Sequence, residues 1–405
     1  MPHVDRDRIP EGSVDRRTLL VGAAGALAVG GLGWPAHAEG HPAAFAALGR
    51  PRFDAGLARR LQRVLEDARR DPSTHFPGAI LHVESATLDT WTGVVGLGRL
   101  APAAPMRSGD RFRAGSVMKP FVSVVVLQLT ERRRLSLDAR LPEVLPASVV
   151  SRFATAPEIS VRMLLGHRSG IPEWLTPAVT AEIGRHPAKV WKVSEFLDLA
   201  AAQPPVFAPG TRYSYSNTNY NLLGLIIERV TGHSWRAEVS RRVISALGLR
   251  HTALPAPGHR SVPGAHADGY AELNGKTIDL TGVDPSMAGA AGGGALVTTV
   301  QDLSDFLNAV LKRRLFRHRE TLRQMLAFAP APAEGGQVGY GLGMERRVLP
   351  GGIEAIGHLG RTAGYSAYVG RLRPHNVTIA AALNWDDDPS PVLLPAINAI
   401  TTARP

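Results

Sequence analysis

The residues Gly115-Ser116-Val117-Met118-Lys119-Pro120 place a serine and a lysine three positions apart. A serine hydroxyl is a poor nucleophile at neutral pH and needs a neighbouring base. On a helix, positions i and i+3 share one face. A lysine there can take the hydroxyl proton once burial or nearby cations lower its pKa. A helix N-terminus adds free N–H groups and a positive dipole end, both suited to a developing oxyanion. The chemistry would be acyl transfer through a covalent intermediate on Ser116. A capping serine followed by a solvated lysine fits the same spacing, so the pair alone does not decide. Lys119 is, however, the only lysine in the chain with serine three residues before it.

Two further stretches carry polar groups that such a reaction could use. Pro209 to Tyr220 is a polar and aromatic turn ahead of an apolar helix, with Tyr215 and Asn217 on alternate positions. A phenol titrates near ~10. Cationic neighbours would lower that value and let Tyr215 exchange protons with Lys119. The Asn217 amide can bond a substrate carbonyl and the lysine together. A loop that caps the helix after Asn217 or Asn219 is the structural alternative. Gly357 to Tyr365 reads as the start of a strand with little bulk. Gly360 would let a substrate backbone approach and pair with its edge. His358 would either position the proton shuttle or be structural.

Elements at both ends of the chain must hold these groups. Leu57 to Arg70 has helical spacing through Leu57, Leu61, Val64 and Leu65. Strand-like runs follow at 78–83 and 90–98. The helix beginning near Ser116 continues through Phe121 to Thr130. Roughly Leu135 to Pro263 is broken by prolines and mainly helical, with stretches at 193–202 and 220–230. A helix near Val300–Leu311, strand candidates at 352–357, 363–372 and 376–384, and a helix over 392–400 complete the pattern. Strands early, helices in the middle and strands late predict one sheet built from both ends of the chain. The expected organisation is an α/β sheet domain from 53–110 and 281–405, with a mainly helical domain over 111–280 between them.

The 405 residues and 44% hydrophobic content allow a sizeable core. Of 46 basic residues only five are lysines. The net charge of +11 would attract a polyanion, nucleic acid or anionic envelope polymer. The arginines are scattered along the sequence with no basic arm, which argues against nucleic acid. No cysteine is present, so disulfides, thiol nucleophiles and cysteine metal sites are excluded. Residues 1–38 read as an export signal: Arg16-Arg17, an apolar stretch from Leu19 to Val29, and Ala36-His37-Ala38 as a cleavage pattern. The arginine pair resembles a twin-arginine signal. Residues 39–52 read as a linker. No later stretch is long and apolar enough for a membrane anchor.

Ser-x-x-Lys, Tyr-x-Asn and His-x-Gly occur in that order, and the chain thereby resembles the serine penicillin-recognising superfamily. The Tyr and His forms are similar to class C β-lactamases, soluble D-Ala-D-Ala carboxypeptidases and related esterases. Asp110 to Ser116, Gly166 to Gly170, Tyr213 to Asn219, His266 to Tyr270 and Gly339 to Gly343 match the carboxypeptidase branch. The resemblance covers about Phe53 to Asn384. It implies a β-lactamase/transpeptidase-like fold: an antiparallel sheet flanked by helices, with an inserted all-α domain. It implies Ser116 as the acylated residue, Lys119 and Tyr215 as the proton relay, and Asn217 on the substrate amide. It puts His358 where lactamases carry a lysine, and makes the oxyanion hole from the N–H groups of Ser116 and Arg361. No metal or organic cofactor is implied. The expected partner is a peptidoglycan stem peptide or a β-lactam, met outside the membrane by a monomer.

Two positions depart from that branch. A substrate carboxylate needs donors when buried. The branch supplies them from an arginine after the Tyr-Gly-Leu-Gly stretch and from hydroxyls on the His-x-Gly strand. Here Glu345 follows Gly343-Met344, and Leu359 fills the middle of His-x-Gly. Arg361 is expected to supply the missing cation, oriented by Glu345. The leading expectation is a D-Ala-D-Ala carboxypeptidase/transpeptidase. A secreted esterase or β-lactamase on the same scaffold, and a non-catalytic wall-binding protein, are the alternatives.

Overall fold

The computed structural model describes residues 53–85, 89–292, 295–333 and 335–402. The export signal and linker read from the sequence lie outside the described residues. Five helices frame the architecture: α1 (Ala55–Arg70), α2 (Met118–Glu131), α3 (Asn217–Thr231), α4 (Val300–Leu311) and α5 (Ser390–Thr401). Among the described residues the main sheet has nine strands: β1 (Gly78–Ser85), β2 (Asp89–Leu100), β3 (Ala103–Pro105), β4 (Ala329–Ala333), β5 (Gln337–Tyr340), β6 (Glu345–Leu349), β7 (Ile353–Thr362), β8 (Tyr365–Arg373) and β9 (Val377–Leu383). They lie in the order β3-β2-β1-β9-β8-β7-β6-β5-β4, and every pairing is antiparallel.

The two ends of the chain meet in the middle of the sheet, where β1 pairs with β9 from Ala79↔Leu383 to Ser85↔Val377. Both strands are buried on both faces, so side chains alternate between two cores. Ala79, Leu81, Val83, Ile379 and Ala381 face a core shared with α1 and α5. Leu57, Leu61 and Leu65 of α1 and Val392, Leu393 and Ile397 of α5 fill it. Ile80, Ala380 and Ala382 face the other core, with Phe306 of α4 and most of α2. α2 has 12 of its 14 residues buried, the mark of a helix enclosed on all sides. Among the described residues the middle of the chain is helical except for a small hairpin, Tyr270–Leu273 with Lys276–Asp279, and the two-residue strand Phe112–Arg113, which pairs with Val297–Thr298. No helix among the described residues is long and apolar enough to cross a membrane.

The strands β4, β5 and β6 escaped the sequence pattern. They are short, and their pairings shift register between Pro330 and Ala333 and between Arg346 and Arg347. β4 reads Ala-Pro-Ala-Pro-Ala. Proline is tolerated there because β4 is an edge strand, and it blocks further pairing.

Candidate active site

Ser116 sits in a 3-10 turn, Gly115–Val117, that leads directly into α2. The turn is clamped by backbone on two sides. Gly115 has φ +53°, and a Cβ on it would lie 2.5 Å from the Arg361 carbonyl oxygen. A Cβ on Gly292 would lie 2.4 Å from the Gly115 carbonyl. Only glycine fits these approaches. One helical turn on, Lys119 is fully buried. Its Nζ lies 2.9 Å from Ser116 Oγ, 2.7 Å from Asn217 Oδ1 and 2.7 Å from the Ala291 carbonyl oxygen. The last two atoms are acceptors only. A neutral amine spends both N–H donors on them and turns its lone pair toward the serine hydroxyl.

Burial lowers the Lys119 pKa to about 7, against the opposing pull of Glu173 and Glu345. A neutral base is therefore populated near neutrality. The Tyr215 ring centroid lies 4.7 Å from Lys119 Nζ, and its hydroxyl is near enough to Ser116 for that side chain to act on its pKa. The expectation that cations lower this phenol's pKa is reversed. Burial pushes it well above the usual value, with the Ser116 side chain acting the other way. Tyr215 thus stays protonated and can relay a proton through its hydroxyl, while a neutral Lys119 can accept one.

Asn217 opens α3 and joins the lysine to a carboxylate. Its backbone N and its Nδ2 donate to Glu173 Oε2 at 2.8 and 2.9 Å. Leu175 N donates to the other oxygen at 2.8 Å. Burial raises the Glu173 pKa, and the Asn217 amide is first among the groups opposing it. The sequence reading missed Glu173, which lies three residues beyond the Gly166–Gly170 stretch.

His167, inside that stretch, was not assigned a role either. Its ring stacks on Tyr215 with centroids 4.2 Å apart, and its backbone is left-handed at φ 54°. Nδ1 accepts from Ser216 N at 3.2 Å and faces Asn219 Nδ2 at 3.2 Å, so the proton belongs on Nε2. Burial holds this imidazole neutral, well below the usual pKa.

His358 reaches the centre through an intermediary. It is fully buried, with Nε2 3.0 Å from Tyr340 Oη and Nδ1 2.5 Å from the Leu359 carbonyl. Tyr340 in turn meets the His167 ring edge-on at 4.8 Å. Burial lowers the His358 pKa to about 4, against the pull of Glu345. Tyr340 belongs to the Gly339–Gly343 stretch, which the sequence singled out only as a family match.

Gly360 also has a close neighbour within the protein. A Cβ there would lie 2.0 Å from the Ala114 carbonyl, so this glycine admits the nucleophile turn. Leu359 turns to the opposite face and packs toward α1 and α5. Its N–H donates to Glu345 Oε2 at 3.1 Å, off the free edge of β7. Arg361, two residues on, directs its N–H off the same edge, beside the nucleophile turn, as an oxyanion donor requires.

The Arg361 side chain is not oriented by Glu345. Its Nε lies 3.3 Å from Asp386 Oδ1, and its Nη2 donates to the Asp386 carbonyl at 2.9 Å. Glu345 is buried and committed elsewhere: Arg347 lies 2.8 Å away and His358 3.5 Å away. Burial disfavours its ionisation, yet Arg347 and His358 hold its carboxyl below the usual range.

A two-core fold with an antiparallel sheet, and a serine–lysine–tyrosine cluster at the start of an enclosed helix, define a serine hydrolase of the penicillin-recognising kind. The family model described as beta-lactamase matches residues 25–402, and the chain belongs to that family. The esterase EstB of Burkholderia gladioli is 32% identical over 204 residues, covering 48% of this chain and 51% of that protein. The chain spans about half the length of the curated relatives it matches first. A D-stereospecific amidohydrolase from Streptomyces sp. superposes with a TM-score of 0.73 at 33% identity, covering 83% of this chain and 97% of that one. The D-amino acid amidase of Ochrobactrum anthropi SV3 superposes with a TM-score of 0.75 at 25% identity, over 86% and 100% of the two chains.

Proposed function

We propose that the protein is a D-stereospecific serine amidohydrolase that cleaves amide or peptide bonds on the carbonyl side of a D-amino acid, through an acyl-enzyme on Ser116. The carrying observation is the Lys119 amine, whose two N–H donors are taken by Asn217 and Ala291 and whose remaining contact is Ser116 Oγ. In the proposed cycle Ser116 Oγ attacks the carbonyl carbon and Lys119 takes its proton. The N–H groups of Ser116 and Arg361 hold the oxyanion, and Tyr215 passes a proton to the leaving nitrogen. Water then hydrolyses the ester. The D-stereospecific amidohydrolase and the D-amino acid amidase among the protein's structural neighbours support the D-configuration.

Stem peptides ending in D-Ala-D-Ala are one substrate of this class. The D-Ala-D-Ala carboxypeptidase reading needs a donor for a terminal carboxylate. Arg361 is the candidate, and its tie to Asp386 favours substrates without that charge. The export signal read at 1–38 supports action outside the cytoplasmic membrane.

The test is one panel: a D-Ala-D-Ala peptide, its methyl ester, a D-amino acid amide with its L counterpart, a cephalosporin and a short-chain ester. Hydrolysis of the D amide and not the L amide, with a mass adduct of labelled penicillin on Ser116 that Ser116→Ala abolishes, is the expected result. Equal turnover of D and L amides overturns the stereochemical reading. Arg361→Ala lowers turnover of the free-carboxylate peptide more than of its methyl ester if Arg361 binds the carboxylate. Equal loss removes that role.

A further inference from the structure

The arginines that look scattered in the sequence are gathered by the fold. Helices α2 and α4 lie side by side and run in the same direction. Phe121 stacks on Phe306 at 3.6 Å between centroids, and Gln128 near the end of α2 donates to the Leu315 carbonyl just past α4, at 2.9 Å. Their C-termini therefore emerge together, and both end in the same motif. After α2 come Arg132-Arg133-Arg134, and after α4 come Lys312-Arg313-Arg314. Arg133 and Arg313 occupy the left-handed cap position, at φ 55° and 60°. Arg134 N bonds the Leu129 carbonyl and Arg314 N the Ala309 carbonyl, closing identical caps. Glycine is the residue that favours this position, and both helices place arginine there.

Further cations join the same end. Arg132 feels Arg242, Arg317 and Arg241 as neighbouring like charges. Glu131 binds the backbone N–H groups of Arg317 and His318 at 3.0 Å, drawing the 315–319 loop onto the end of α2. Across 131–134, 238–242 and 312–319 there are ten Lys and Arg against two carboxylates, Glu131 and Glu238; Arg242 is buried against Glu238, and the other nine are exposed or half-buried. Glu131 is engaged by that backbone and by Thr321 Oγ1, and Glu238 by Arg241 and Arg242. The helix dipoles account for a cation or two at each C-terminus, far fewer than are present.

We propose that this face docks a flexible poly(phosphodiester) chain. Guanidinium groups bind phosphate oxygens in pairs, and a flexible polymer can follow several helix ends at once. Among the described residues the exposed large apolar side chains are Leu100, Val190, Val206, Leu273, Val338 and Val348. None lies in these three segments, so the face has no wedge for a lipid bilayer and no aromatic platform for bases. The 14-residue α2 separates the face from Ser116 by roughly 21 Å, which leaves the active site open while the polymer is held.

The experiment titrates the full chain with fluorescently labelled, lipid-free poly(glycerol phosphate), read by anisotropy across a salt series. Wild type binds, with log Kd rising linearly against log salt. Combining Arg133→Gly and Arg313→Gly with Arg132→Gln and Arg317→Gln weakens binding roughly tenfold or more and flattens the salt slope. Glycine suits both cap positions, so Tm stays level or rises and turnover of a small substrate is unchanged. Lost binding then does not report unfolding. Equal affinity in variant and wild type overturns the proposal. So does binding confined to anionic phospholipid vesicles, or duplex DNA that displaces the polymer at lower concentration.

Discussion

Replacing Glu173 with glutamine isolates the electrostatic coupling between that carboxylate and the buried Lys119. Asn217 stands between them, accepting from Lys119 and donating to Glu173. One amide and two hydrogen bonds span roughly 6–7 Å, which at an effective dielectric of about 20 corresponds to about 2.5 kcal/mol, a little under two pH units. Glu173 favours the protonated lysine and opposes the burial that lowers Lys119 to about 7. Glutamine keeps the shape and removes the charge, so the Lys119 pKa falls further. If neutral Lys119 is the base, the acid limb of kcat/KM follows it. The assay is kcat/KM on a small activated ester from about pH 5 to about pH 9, with Tm recorded for each protein. The acid limb should move down by one to two units at most, with a lower plateau because Asn217 loses its anchor. An acid limb that stays in place or moves up in a folded variant refutes the coupling and the role given to Lys119. A merely structural Glu173 would lower the plateau without moving the limb.

Tyr215→Phe keeps the ring on His167 and removes the hydroxyl, so kcat should fall roughly 10²–10⁴-fold with Tm nearly level; wild-type turnover would exclude the phenol from the relay. Gly360→Ala drives a Cβ to 2.0 Å from the Ala114 carbonyl and should destabilise by about 1–3 kcal/mol or more, with loss of activity; a neutral result would show that β7 does not clamp the nucleophile turn. His82 and His358 are buried and lowered to about 4, so the unfolded chain takes up their protons first as pH falls. Their contribution is complete above about pH 6.5 and is lost between there and pH 4, about 3 kcal/mol apiece. Denaturant unfolding of wild type and His82→Gln should show a flatter pH dependence in the variant; identical slopes would remove His82 from the account.

The Ser116–Lys119 pair was legible because one helical turn suffices to join it, and α1, α4 and the long strands were legible because each shows its own periodicity. Central strands β1 and β9 read as apolar runs, whereas β4 to β6 are short, bulged and interrupted by proline and glycine, so no local pattern marks them. The order of three motifs carried the family, and with it Tyr215, Asn217 and His358. What depends on meetings between distant segments was not legible. Glu173 matters because α3 begins above it, 44 residues on. Tyr340 matters because β5 lies two strands from His358. Arg361 was named from its sequence neighbours, yet its partner is Asp386 beyond the end of β9, and Gly360 faces the Ala114 carbonyl. The arginines after α2 and α4 are about 180 positions apart in sequence and become one surface only because two helices run parallel. By itself the sequence determined the reactive pair, the main elements and the family, since these rest on near-neighbour geometry and composition. Tertiary structure alone decided the protonation of Lys119 and Tyr215, because a pKa answers to burial and to charges brought from elsewhere in the chain.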